Sequence, residues 1–117
     1  MGAWDMKIFA EDVNVDFLDE LSALDDEDIV EAIEDACKLV LSQTNVSNDD
    51  ELNGLCAATI AAIWAGAPYS AGDVVTEYPF IRDLSGYGGD ELYAAASEVL
   101  ERAEVDDDLD VYLEALN

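Results

Sequence analysis

From Leu52 to Gly72 the chain runs 21 residues without a single charge, in a protein that is 28% Asp, Glu, Lys and Arg. Within that run, "LCAATIAAIWA" (55–65) is apolar or small on every side. A helix with no polar face cannot lie on a surface, so the pattern predicts a helix over residues 49–65 at the centre of a bundle. The run is long enough to span a bilayer, since about 20 apolar residues suffice. Asn53, Gly54, Gly66 and Pro68 interrupt it, however, and the apolar core that remains is too short to cross. Gly66 is placed to cap the C-terminal end.

The flanking segments supply the rest of the bundle. Val13, Phe17, Leu21 and Leu24 recur at helical spacing, predicting an amphipathic helix over 12–24. In "SALDDEDIVEAIEDACKLV" (22–40), Ile29, Val30, Ile33, Ala36, Cys37, Val40 and Leu41 share one arc of a helical wheel. Glu27, Asp28, Glu31, Glu34, Asp35, Lys38 and Ser42 share the other. Asp25 to Asp28 stand at the start of that helix, where carboxylates favour the positive end of its dipole. Asn48 and Glu51 have the spacing of a capping box for the central helix. Beyond it, residues 67–89 read as one long loop. "DVVTEYPFI" is its one candidate for a short extended segment, and Pro79 argues against a central strand. Tyr69, Tyr78, Phe80 and Tyr87 are expected to staple the loop to the bundle.

A further helix begins at Asp90, with Leu92, Tyr93, Ala96, Val99, Leu100 and Ala103 inward. A last one follows Asp106, Asp107 and Asp108 and buries Leu109, Tyr112, Leu113 and Leu116. The expected fold is therefore all-α: one domain over 1–117, a compact bundle of about five helices around 49–65.

The charge is lopsided, 29 Asp and Glu against Lys7, Lys38, Arg82 and Arg102, for a net charge of −25. Such a surface repels DNA, RNA and anionic membranes and attracts basic proteins and divalent cations. The apolar content, 51%, is that of a globular chain rather than a disordered one. Solubility or adaptation to high salt fits the same composition without any partner, although six isoleucines and two cysteines suit the salt reading poorly. Cys37 and Cys56 lie on apolar helix faces without a CxxC spacing and read as buried, reduced thiols. Asp5, Lys7, Glu11 and Asp12 break any hydrophobic run at the start, so it does not read as a signal peptide. Met6 stands where a myristoylation signal needs Ser or Thr. The expected location is cytoplasmic.

Most catalytic chemistry lacks its usual residues. The sequence has no histidine, which removes the commonest general base, the Ser–His and Cys–His nucleophile systems and the commonest metal ligand. "SGYGGD" has no phosphate-loop lysine. Asp49, Glu51, Asn53 and Gly54 resemble the start of a calcium loop, but Ile60 occupies the position that needs a bidentate Glu. "DDDLD" (106–110) lacks the glycine turn. Glu31-x-x-Glu34 looks like half of the magnesium site of all-α nucleotide pyrophosphatases. No second carboxylate pair is evident, and few cations remain to hold a triphosphate.

The N-terminal stretch "MGAWDMKIFAEDVNVDFLDEL" resembles the opening of a bacterial family of unknown function, domain-of-unknown-function family 4259. Members tend to begin Met-Gly-Ala-Trp-Gly, followed by a short apolar segment, an acidic pair and an amphipathic helix. Met1 to Trp4, Ile8, Phe9, Asp12 and the Phe17–Leu21 segment match, and Asp5 replaces the usual glycine. "LYAAASEVLERAEVDDDLDVYLEAL" is similar to the closing helix pair. The resemblance implies no activity, cofactor or site residue. Trp4 is expected to anchor the chain's start against the bundle, with Gly2 allowing close approach.

These observations lead to a non-enzymatic binding protein without a cofactor, engaging a basic protein through Glu27, Asp28, Glu31, Glu34 and Asp35. Asp106, Asp107, Asp108 and Asp110 form a second patch. A metal-dependent enzyme acting on nucleotides through Glu31 and Glu34 is the alternative from a different class.

Overall fold

The uncharged run forms the axis of the molecule. In the computed structural model, which describes residues 4–43, 45–103 and 109–116, helix α4 spans Asn48–Trp64 and buries every residue from Gly54 to Trp64. Around it pack α1 (Trp4–Ala10), α2 (Asp12–Ser22), α3 (Asp26–Ser42), α6 (Phe80–Asp83), α7 (Asp90–Arg102) and α8 (Asp110–Leu116), and α5 (Gly72–Glu77) packs on α6. The radius of gyration is 12.5 Å, close to the roughly 13 Å expected of a globule this size.

The end of α4 shows why the helix stops where it does. Gly66, at φ +116°, takes the left-handed conformation that glycine adopts without steric cost. It donates to the Ile63 carbonyl, and Ala67 donates to that of Ala62, both at 3.0 Å. This paired arrangement satisfies carbonyls that the last turn leaves open. At the other end the cap lies one residue earlier than the Asn48–Glu51 spacing suggests. Ser47 Oγ accepts from the Asp50 amide at 3.1 Å.

On α3, Ile29, Ile33 and Cys37 are buried, and Val30, Ala36, Val40 and Leu41 are half-buried beside them. The predicted apolar arc is therefore the packed one. On α2 the buried line is Asn14, Leu18 and Leu21, with Val13 and Phe17 half-buried. The helix is rotated relative to the predicted stripe because a polar residue lies inward. Asn14 Nδ2 donates to the Ile8 carbonyl at 2.7 Å, closing the end of α1 onto α2. Leu24, placed on the apolar face by its spacing, falls beyond the end of α2 and is 42% exposed.

The segment 67–89 differs most from expectation. "DVVTEYPFI" is helical rather than extended: α5 and α6 occupy it, with Tyr78 and Pro79 between them. Ala71, Val75 and Tyr78 are buried at a spacing of four and three residues, which is a helical period and not a strand's alternation. Tyr78 and Phe80 do staple the segment inward, edge to face at 6.2 Å. Tyr69 and Tyr87 remain exposed.

Trp4 is an anchor, 6% exposed. Its Nε1 donates to Thr59 Oγ1 at 2.8 Å, and that hydroxyl donates to the Leu55 carbonyl at 2.8 Å. Trp64 does the same at the far end of α4, donating to the Phe80 carbonyl at 3.2 Å. Each indole thus buries its ring and satisfies its one donor. Gly2 lies outside the described residues.

Candidate functional site

The outer face of α3 is densely acidic. The helix turns its apolar arc onto α4 and α7, which leaves Glu27, Asp28, Glu31 and Asp35 exposed on the opposite side. Successive turns set these carboxylates about 5.4 Å apart along the axis. Glu34 is different. It is half-buried and accepts from Lys38 Nζ at 2.8 Å, and Lys38 also lies 3.8 Å from Glu91 at the start of α7. The bond to Glu34 is the main reason the Lys38 ammonium titrates above its ordinary range. Glu31 and Glu34, the pair that the alternative nucleotide-enzyme reading would use, therefore face different surroundings: Glu31 stands in solvent and Glu34 is held by a cation.

Of the second predicted patch, Asp110 alone lies within the described residues. Asp110 is exposed at the start of α8. Asp106, Asp107 and Asp108 lie outside the described residues. The calcium-loop resemblance dissolves into helix, since Asp49, Glu51, Asn53 and Gly54 all belong to the first two turns of α4. Gly54 has a packing role there. A Cβ on it would lie 2.2 Å from Val40 Cγ2, so its bare backbone lets α3 and α4 approach closely. Among the described residues no group of three or more Cys, Asp or Glu side chains could hold a metal ion, and no helix is long and apolar enough to cross a membrane.

Cys37 and Cys56 are buried and unbridged. Burial pushes the Cys37 thiol up to about 12, with Glu34 adding to the effect, and raises Cys56 further still. A thiol must ionise to act as a nucleophile or a soft metal ligand, so these two are inert at neutral pH.

Asp5, which periodicity does not mark as an inward group, is fully buried. Its Oδ2 accepts from the Ser70 and Ala71 amides at 2.6 and 2.9 Å. Its Oδ1 lies 3.3 Å from the Tyr112 hydroxyl. One carboxylate thus joins α1, the lead into α5, and α8. Its sequence signals are an acid lodged between Trp4 and Met6 and its place where the family usually has glycine.

An all-helical globule built on a neutral axis, with an acidic outer face on α3, is the class that this architecture defines. The chain belongs to domain-of-unknown-function family 4259, which it matches over residues 2–116. No curated protein and no solved structure matches it.

Proposed function

We propose that this is a non-enzymatic, cytoplasmic binding protein whose acidic surface engages a basic protein, occluding a cationic groove as an inhibitor, an immunity-type protein or a nucleic-acid mimic does. The observation that carries this reading is the face of α3, where Glu27, Asp28, Glu31 and Asp35 stand exposed on one continuous helix. Carboxylates repeating once per turn form an anionic rail that steers a basic partner and fixes its orientation. Helix α3 itself carries one cation, Lys38, against six acids. Lys38 pairs with Glu34, Arg102 with Glu98 at 2.9 Å, and Arg82 with Asp83 at 3.7 Å.

Affinity capture from the source lysate, eluted along a salt gradient, tests the proposal. The expected result is one basic protein leaving at a defined, elevated salt concentration. Its binding should then fall when Glu27, Glu31 and Asp35 are changed to lysine together. Unchanged affinity of that triple variant at low salt removes α3 as the site. Recovery of only a weakly held mixture of basic proteins refutes a dedicated partner.

A further inference from the structure

Two of the exposed large apolar side chains lie on one cleft. Leu24, 42% exposed, and Tyr87, 62% exposed, stand over an opening of about 280 Å³ between the α2–α3 turn and the α6–α7 loop. Ile29, Phe80 and Leu84, all otherwise buried, form part of the wall, and Ser22, Asp26 and Asp83 form a polar part. The Gly86 amide donates to the Trp64 carbonyl at 3.0 Å, which fixes the loop carrying Tyr87 to the end of α4. The volume falls just below the range of small-molecule sites, roughly 300–1,000 Å³, and the cleft is open to solvent on one side. It suits a side chain presented by another surface better than an enclosed ligand.

Directly beside it lies a second hollow that shares Leu24 and Asp26 and is otherwise lined by Asp25, Glu27 and Asp28. All four acids are exposed. The dipole at the start of α3 contributes only about half a positive charge, so four carboxylates dominate the local field. Asp83 adds a further acid on the cleft side, offset by Arg82. A depression of mixed lining, rimmed by two exposed apolar side chains, therefore adjoins an acidic one, and both share Leu24.

We propose that this paired depression receives a segment of the basic partner in which a large apolar side chain is flanked by lysine or arginine, the apolar group entering between Leu24 and Tyr87 and the cation facing Asp25–Asp28. The inference rests on the electrostatic reading above and adds where the partner is gripped and by what chemistry. A rail of charge alone supplies steering and register. A buried apolar anchor beside it supplies residence time, as central anchors do in other interfaces.

The test uses two synthetic peptides of equal charge. One carries a tryptophan–leucine pair flanked by lysines. In the other, serines replace the apolar pair. Fluorescence anisotropy with the intact protein at moderate salt should give at least about ten-fold tighter binding for the apolar peptide. Leu24→Ser and Tyr87→Ser, both at exposed positions, should each erase most of that difference while leaving the serine peptide's affinity unchanged. Heteronuclear NMR should place the apolar peptide's shifts at Ile29, Leu84 and Tyr87. Equal affinities of the two peptides, or shifts confined to the 31–42 end of α3, overturn the cleft and leave the electrostatic reading standing. Failure of both peptides to bind even at low salt overturns both.

Discussion

Replacing Gly54 with alanine sets two effects of known sign against each other. In a free helix the change is favourable by about 0.5–1 kcal/mol, because glycine loses more backbone entropy on folding. Here the new methyl would sit 2.2 Å from Val40 Cγ2, 3.3 Å from Val40 Cβ and 3.4 Å from the Ala36 carbonyl oxygen. Carbon atoms pack best at about 3.5–4.0 Å, and a helical valine has essentially one good χ1 rotamer, so Val40 cannot swing aside freely. Overpacking of this kind costs about 1–3 kcal/mol. The clash wins. Gly54→Ala is expected to destabilise the protein by about 1–2 kcal/mol, lowering Tm by about 4–8 °C in a chain this size. In a Val40→Ala background the obstructing methyl is gone, and the same change should be neutral or stabilising. Urea and thermal unfolding of the four proteins close the cycle, with a coupling of about 1–3 kcal/mol. If Gly54→Ala stabilises the wild-type protein, or has the same effect in both backgrounds, close approach of α3 and α4 is not why this residue is glycine.

Two other perturbations follow from buried groups. Asp5→Ala strips the acceptor from the Ser70 and Ala71 amides and should cost about 2–4 kcal/mol by chemical denaturation, with Asp5→Asn milder because its amide oxygen can still accept; equal stability of Asp5→Ala and wild type would refute this joining role of Asp5. Stability should also fall as pH rises above about 9, where unfolded thiols begin to lose protons. The folded chain holds those protons longer, because burial raises both thiols. The hydrogen bond to Asp19 likewise raises the Tyr78 phenol, extending the decline above pH 10. Each thiol removes about 1.4 kcal/mol of stability at one pH unit above its unfolded value. Urea midpoints at pH 8 and 10 should therefore converge in a Cys37→Ala, Cys56→Ala double variant, and an unchanged pH slope would refute the assignment.

The features legible in the sequence are those written in local patterns. The absence of charge around Ile60 marked the axis, the two arcs of α3 marked its inner and outer faces, and Gly66 marked the end of α4. Asp5, Asn14 and Thr59 were not legible as structural groups. The partners of Asp5 lie 65, 66 and 107 residues away, and the Trp4–Thr59 bond spans 55, distances at which periodicity carries no signal. Helices α5 and α6 were hidden because six and four residues hold too few turns to display a period. The α3 carboxylates of the candidate site can be named from charge alone, and the tie between Glu34 and Lys38 is legible in the i, i+4 spacing of a helical ion pair. The cleft was invisible for another reason. Leu24 and Ile29 come from one stretch of the chain and Phe80 and Tyr87 from another more than 50 residues on, and each reads as core or packing where it stands.

The neutral axis also shapes the life of the chain before it folds. Residues 54–64, buried without a gap in the native state, form an apolar segment that is sticky whenever it is exposed on an incomplete or unfolded polypeptide. Acidic stretches precede and follow it, and carboxylates flanking an unavoidable hydrophobic segment act as gatekeepers against self-association. That protection depends on ionisation. Near the isoelectric point of about 4.1 the repulsion between chains collapses while the apolar segment is unchanged, so aggregation of unfolded chains should be fastest in mild acid.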